Sequence, residues 1–102
     1  MIIVAGTLHV AAADRDRYLS AVAGVAVLAR RAPGCLDFVQ AADPIDPERI
    51  NIFERWESDA DLDRFRSVGD PEVPEPDAPE PAVPPVIAAE VRRYRISSVE
   101  EP

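Results

Sequence analysis

Residues 2–10 (IIVAGTLHV) are short, apolar and rich in β-branched side chains, a run that suits a strand and is too brief for a helix. Alternation puts Ile2, Val4, Gly6, Leu8 and Val10 on one side and Ile3, Ala5, Thr7 and His9 on the other. Both sides carry apolar groups, which predicts a strand covered on both faces. From Asp14, the expected N-cap, the spacing of Tyr18, Val22, Val25 and Ala29, joined by Leu19 and Ala26, predicts an amphipathic helix. Gly24 weakens that helix, Arg30 and Arg31 suit its negative end, and Pro33-Gly34 stops it. Residues 35–42 (CLDFVQAA) read as a second strand and 49–57 (RINIFERWE) as a third, with an Asp/Pro turn over 43–47 that predicts an antiparallel hairpin. In the third strand Ile50, Ile52, Glu54 and Trp56 alternate with Asn51, Phe53 and Arg55. Ser58, with Asp61 three residues on, starts a second helix whose apolar stripe is Leu62 and Phe65 and whose stop is Gly69. Residues 86–96 (VIAAEVRRYRI) form the last strand, with Ile87, Ala89 and Val91 on one face and Tyr94 and Ile96 on the other, and the SSVEEP tail is expected to fray.

The order β-α-β-β-α-β predicts an α+β, ferredoxin-like domain over residues 1–102, with both helices on one sheet face. The other face is then too apolar to stand in water, and a second copy packed on it, a homodimer, is the simplest remedy.

Composition narrows the function classes. The formal net charge of -8 argues against nucleic acid and anionic membrane as partners, since both need clustered Lys and Arg. Cys35 is the single cysteine, so no intrachain disulfide forms, which agrees with a cytoplasmic location. No apolar run reaches the roughly 18 residues of a membrane span. The opening MIIVAGTLHV has no basic leader and reads as a strand, not a signal peptide. Residues 70–85 hold seven prolines and five acidic residues, a composition expected to be an extended or disordered loop inserted before the last strand. Its PxxP spacings also fit a partner-binding segment, but it lacks the basic residues such ligands usually add.

MIIVAGTLHV, the Ala32-Pro33-Gly34-Cys35 turn, and Phe53-Glu54-Arg55-Trp56-Glu57-Ser58 followed by Leu62 and Phe65 resemble the antibiotic biosynthesis monooxygenase domain. The likeness covers about residues 1–68 and resumes at 86–96. It implies a dimeric α/β barrel, made when two ferredoxin-like sheets pack face to face. It also implies a cofactor-independent oxygenase that joins a small aromatic quinol or anthrone to O2, the alternative being a non-catalytic dimeric α/β barrel that binds a small ligand or serves in assembly. Haem-degrading relatives carry an asparagine on strand one and a histidine after the second helix. Gly6 and Thr7 stand on strand one here and no histidine follows His9, so haem degradation is not expected. Many relatives have a histidine late in the second helix, near Phe65 here, and a short extra helix where this chain has its prolines.

On this reading Trp56 is the substrate wall and hydrogen-bond donor, and His9 and Tyr94 are the candidates for proton handling. Gly6, Thr7, Phe38, Ile52, Glu54 and Phe65 are the expected pocket lining. Each has a structural alternative: Trp56 as core, His9 as a solvated strand residue, Tyr94 as an interface aromatic. Glu54 reads either as a buried acid with a raised pKa or as the partner of Arg92 or Arg95. Cys35 reads as a small hydrophobe. One histidine and one cysteine cannot make a usual zinc or iron site, and no nucleotide-binding or hydrolase motif is present, so neither metal nor cofactor is expected.

Overall fold

The alternating first strand forms as β1 (Ile2–His9), one residue shorter than its apolar run. In the computed structural model, residues 1–67 and 83–102 are described. A single 3-10 turn (Ala12–Asp14) leads into α1 (Arg15–Arg31). Asp14 holds the N-cap position but makes no side-chain cap. Its backbone is already helical, and its carboxylate accepts from Arg17 instead, at 2.9 Å. The expected stripe buries Tyr18, Val22 and Ala29, with Val25 half-buried. Gly34 ends the turn at φ 83°, a left-handed conformation that a side chain would strain. A Cβ there would also meet the Asp61 side chain at 2.2 Å.

β2 (Cys35–Ala42) and β3 (Arg49–Trp56) form the antiparallel hairpin, with a register shift between Cys35 and Asp37. α2 (Asp59–Ser67) starts as its sequence signals: Ser58 Oγ accepts from the Asp61 N–H at 3.2 Å and donates to Asp61 Oδ2 at 2.8 Å. Gly69 and the proline-rich stretch up to residue 82 lie outside the described residues. β4 (Ala88–Arg95) is shorter than the 86–96 run, although the Ile87 and Ile96 N–H groups still bond the His9 and Met1 carbonyls.

The sheet order is β2-β3-β1-β4, antiparallel throughout, and the architecture is ferredoxin-like α+β. Both helices pack on one face, over two adjoining clusters. One holds Ile2, Val4, Ala29, Phe38, Trp56 and Leu62. The other holds Leu8, Val10, Tyr18, Val22, Ile50 and Ile52, with Val83 packed against it. Gly6 permits the β1–β4 pairing. Its φ is 156°, and an added Cβ would lie 1.9 Å from the Glu90 carbonyl oxygen. The helix-free face carries Ile3, Val39, Phe53 and Tyr94, the last two 38% and 49% exposed, and every β4 residue is exposed. No described helix is long and apolar enough to cross a membrane.

Candidate functional site

Cross-strand register decides which candidates can meet. Ile2 pairs with Trp56, Val4 with Glu54 and Gly6 with Ile52, so these point beneath the helices. Phe38 pairs with Glu54 from the other side and joins them. Phe65 reaches down from α2, its ring centroid 5.4 Å from that of Trp56 and 6.4 Å from that of Phe38. Six of the sequence candidates, Trp56, Glu54, Phe38, Phe65, Ile52 and Gly6, therefore share one face. Thr7, His9 and Tyr94 stand on the opposite face, with Tyr94 beside Ile3. His9 Nε2 lies 3.7 Å from Asp46 Oδ2 at the sheet end, on the helix-free side.

The centre of the helix-covered group is a buried polar pair. Trp56 is fully buried and its Nε1–H donates to Glu54 Oε1 at 3.1 Å. Residues two apart on a strand share a face, so the indole nitrogen and the carboxylate come within reach without bending the chain. Burial pushes the Glu54 carboxyl up from its ordinary range, against the Trp56 N–H and the more distant Arg66 guanidinium, which hold it down. The same burial raises the Cys35 thiol, and the Glu54 charge adds to it. Glu54 is thus the buried acid of the two alternatives, and the arginine pairing does not form. Arg95 joins Arg93 in gripping Asp59 on α2, while Arg92 lies on the opposite face, 3.8 Å from Glu90.

Two residues near this face were not among the site candidates read from the sequence. Gln40 Oε1 is buried with no hydrogen-bond partner among the described residues. Arg30 donates through Nε to the Phe38 carbonyl at 2.9 Å. The alternation 38, 40, 42 was the available signal for Gln40. Nothing in the letters marks its acceptor as unpaired.

The helix-covered face does not fit a haem. An axial ligand would have to be a His, Cys, Met or Tyr. His9 and Tyr94 face away, burial raises the proton affinity of the Cys35 thiol, and Tyr18 is packed in the core. Among the described residues no group of three or more His, Cys, Asp or Glu could hold a metal ion.

The fold recurs in solved structures. A candidate antibiotic biosynthesis monooxygenase from Deinococcus radiodurans superposes with a TM-score of 0.76 at 18% identity, over 99% of this chain and 97% of that one. One from Chloroflexus aurantiacus gives 0.66 at 23%, over 97% and 96%. The heme-degrader MhuD from Mycobacterium tuberculosis, with two hemes bound in its active site, gives 0.64 at 16%, over 99% and 100%. At such identities the likeness is one of fold. No curated protein matches the chain by sequence. The antibiotic biosynthesis monooxygenase profile matches residues 1–69, the span that contains β1 to α2 and the Trp56–Glu54 pair, and the chain belongs to that family.

Proposed function

We propose that this protein is a cofactor-independent monooxygenase of a small aromatic quinol- or anthrone-type substrate, with Glu54 as its proton-handling group and Trp56 as its positioning donor. The observation that carries the reading is the buried Trp56–Glu54 hydrogen bond under Phe38 and Phe65, with the carboxyl's proton affinity raised by burial. A carboxylate of raised pKa is a stronger base than an exposed one. It takes a proton from the substrate CH2 or O–H, and the resulting enolate reduces O2. The peroxide formed at carbon takes the proton back and loses water, so CH2 and O2 become C=O and H2O. Exclusion of water strengthens the carboxylate as a base, and the flat rings of Phe38, Phe65 and Trp56 suit a planar aromatic substrate. Thr7, His9 and Tyr94 belong to the face that a second copy is proposed to cover, which the exposed Phe53 and Tyr94 support.

Oxygen uptake with an anthrone and quinol panel, without added metal or flavin, tests this reading. One O2 per anthrone is expected, and Glu54→Gln should slow turnover about 100-fold or more. Absence of uptake by folded protein across the panel sinks it. Complete burial of Trp56 favours a second reading, a non-catalytic dimeric barrel that binds a small ligand. That reading predicts no uptake and light scattering at twice 11.1 kDa.

A further inference from the structure

We propose that the cavity between α1 and β2 is a separate binding site for a small aliphatic carboxylic acid that carries a hydroxyl or amide N–H near its carboxylate. The cavity measures about 280 Å³ and is lined by Leu19, Val22, Ala23, Ala26, Val27, Arg30 and Gln40. That is close to the lower end of small-molecule sites. Its walls are aliphatic and contain no ring. Ala23 and Ala26 flatten the helix surface, so a hydrocarbon chain can lie against it. Val27 is half-exposed and leaves one side open.

Two polar groups set the ligand chemistry. Buried acceptors are rarely left unpaired, and Gln40 Oε1 is buried with no donor among the described residues. It calls for an O–H or N–H from whatever enters. The Arg30 Nε–H is fixed on the Phe38 carbonyl, which holds the guanidinium at the rim. Its terminal nitrogens make no hydrogen bond among the described residues, and a planar guanidinium fork suits a carboxylate. Arg30 and Gln40 line the same cavity, so a ligand with a carboxylate at one end and an O–H or N–H a few bonds away, as in a 3- or 4-hydroxy acid, can address both. The site shares no residue with the Trp56–Glu54 pair, and it stands on the α1–β2 side, away from α2.

The test is a titration of isotope-labelled protein with 3-hydroxyoctanoate, octanoate and 1-octanol, followed by methyl and side-chain amide NMR. The hydroxy acid should shift the Leu19, Val22 and Val27 methyls and the Gln40 amide, and should bind about three- to tenfold tighter than octanoate. Arg30→Gln should weaken it about tenfold or more. Gln40→Leu should keep octanoate binding and lose the preference for the hydroxyl. Ala23→Leu should fill the cavity and abolish binding, with oxygen uptake on any active quinol unchanged. Absence of shifts at millimolar ligand overturns the proposal and leaves water as the partner of Gln40. Equal affinity for octanoate and octanol, or binding retained by folded Ala23→Leu, overturns it as well.

Discussion

Replacing Trp56 by Phe separates the packing role of the indole from its hydrogen bond. The ring is fully buried, against Phe65 and within the cluster of Ile2, Val4 and Leu62. A phenyl ring leaves a void of roughly 40 Å³, which costs about 1 kcal/mol at ~24 cal/mol per Å³. The lost burial of ring surface adds about 1 kcal/mol. The larger cost falls on Glu54, whose carboxylate loses the Trp56 N–H, a charged hydrogen bond of about 1.5–3 kcal/mol. The expected loss is about 3–5 kcal/mol, and with a urea slope near 2 kcal/mol per M the midpoint falls by roughly 2 M. The pH dependence identifies the carboxylate. The folded-state pKa of Glu54 is raised above its unfolded value, so its contribution is fully present below the unfolded pKa and is lost as pH rises through the folded pKa. Removing the N–H that stabilises the anion raises that pKa further, so the deficit of Trp56→Phe grows as pH rises through the wild-type folded pKa and levels off above the variant's. Glu54→Gln keeps a carbonyl acceptor for the indole and removes the charge. Trp56→Phe should then cost about 1–1.5 kcal/mol less in the Gln background, with little pH dependence. Urea melts of the four proteins at several pH values and one protein concentration measure this cycle. An equal, pH-independent cost in both backgrounds would falsify the role given to the pair.

Gly6→Ala should break the β1–β4 pairing, because the methyl would overlap the Glu90 carbonyl, with a loss of more than about 2 kcal/mol and fast hydrogen exchange along β4. Gly24 lies on α1 with nothing within 4 Å of an added Cβ, so Gly24→Ala should stabilise by about 1 kcal/mol and raise Tm by about 4–8 °C in calorimetry. Asp43 is held down to about 2 by the Asp46 N–H, then the Asn51 amide and the Ile45 N–H. A depressed carboxyl stabilises the fold above its unfolded pKa and loses that effect as pH falls through the folded one. Acid melts between pH 4 and 2 should therefore lose part of their pH dependence in Asp43→Asn, and an unchanged profile would count against the turn as an acid-sensitive element.

The sequence by itself determined the elements, because each rests on neighbours a few residues apart. Alternation set β1 and β3, the stripe of Tyr18, Val22, Val25 and Ala29 set α1, Ser58 with Asp61 set the start of α2, and Gly34 set the left-handed turn. The Phe53–Ser58 motif carried the family for the same reason. Only the tertiary structure decided which candidates meet. Whether His9, Thr7 and Tyr94 share a face with Trp56 depends on cross-strand register, and a shift of one residue reverses it. Glu54 had several arginines within reach on paper. The pairing of β4 beside β1 gave Arg93 and Arg95 to Asp59 and left the indole as the carboxylate's partner. Asp14 could have capped α1, but Arg17 took its carboxylate, and Gln40 Oε1 was buried without a donor among the described residues. Local pattern fixes where a side chain stands along its element. The partner it finds is set by competition among groups far apart in the chain, which only the packed fold resolves.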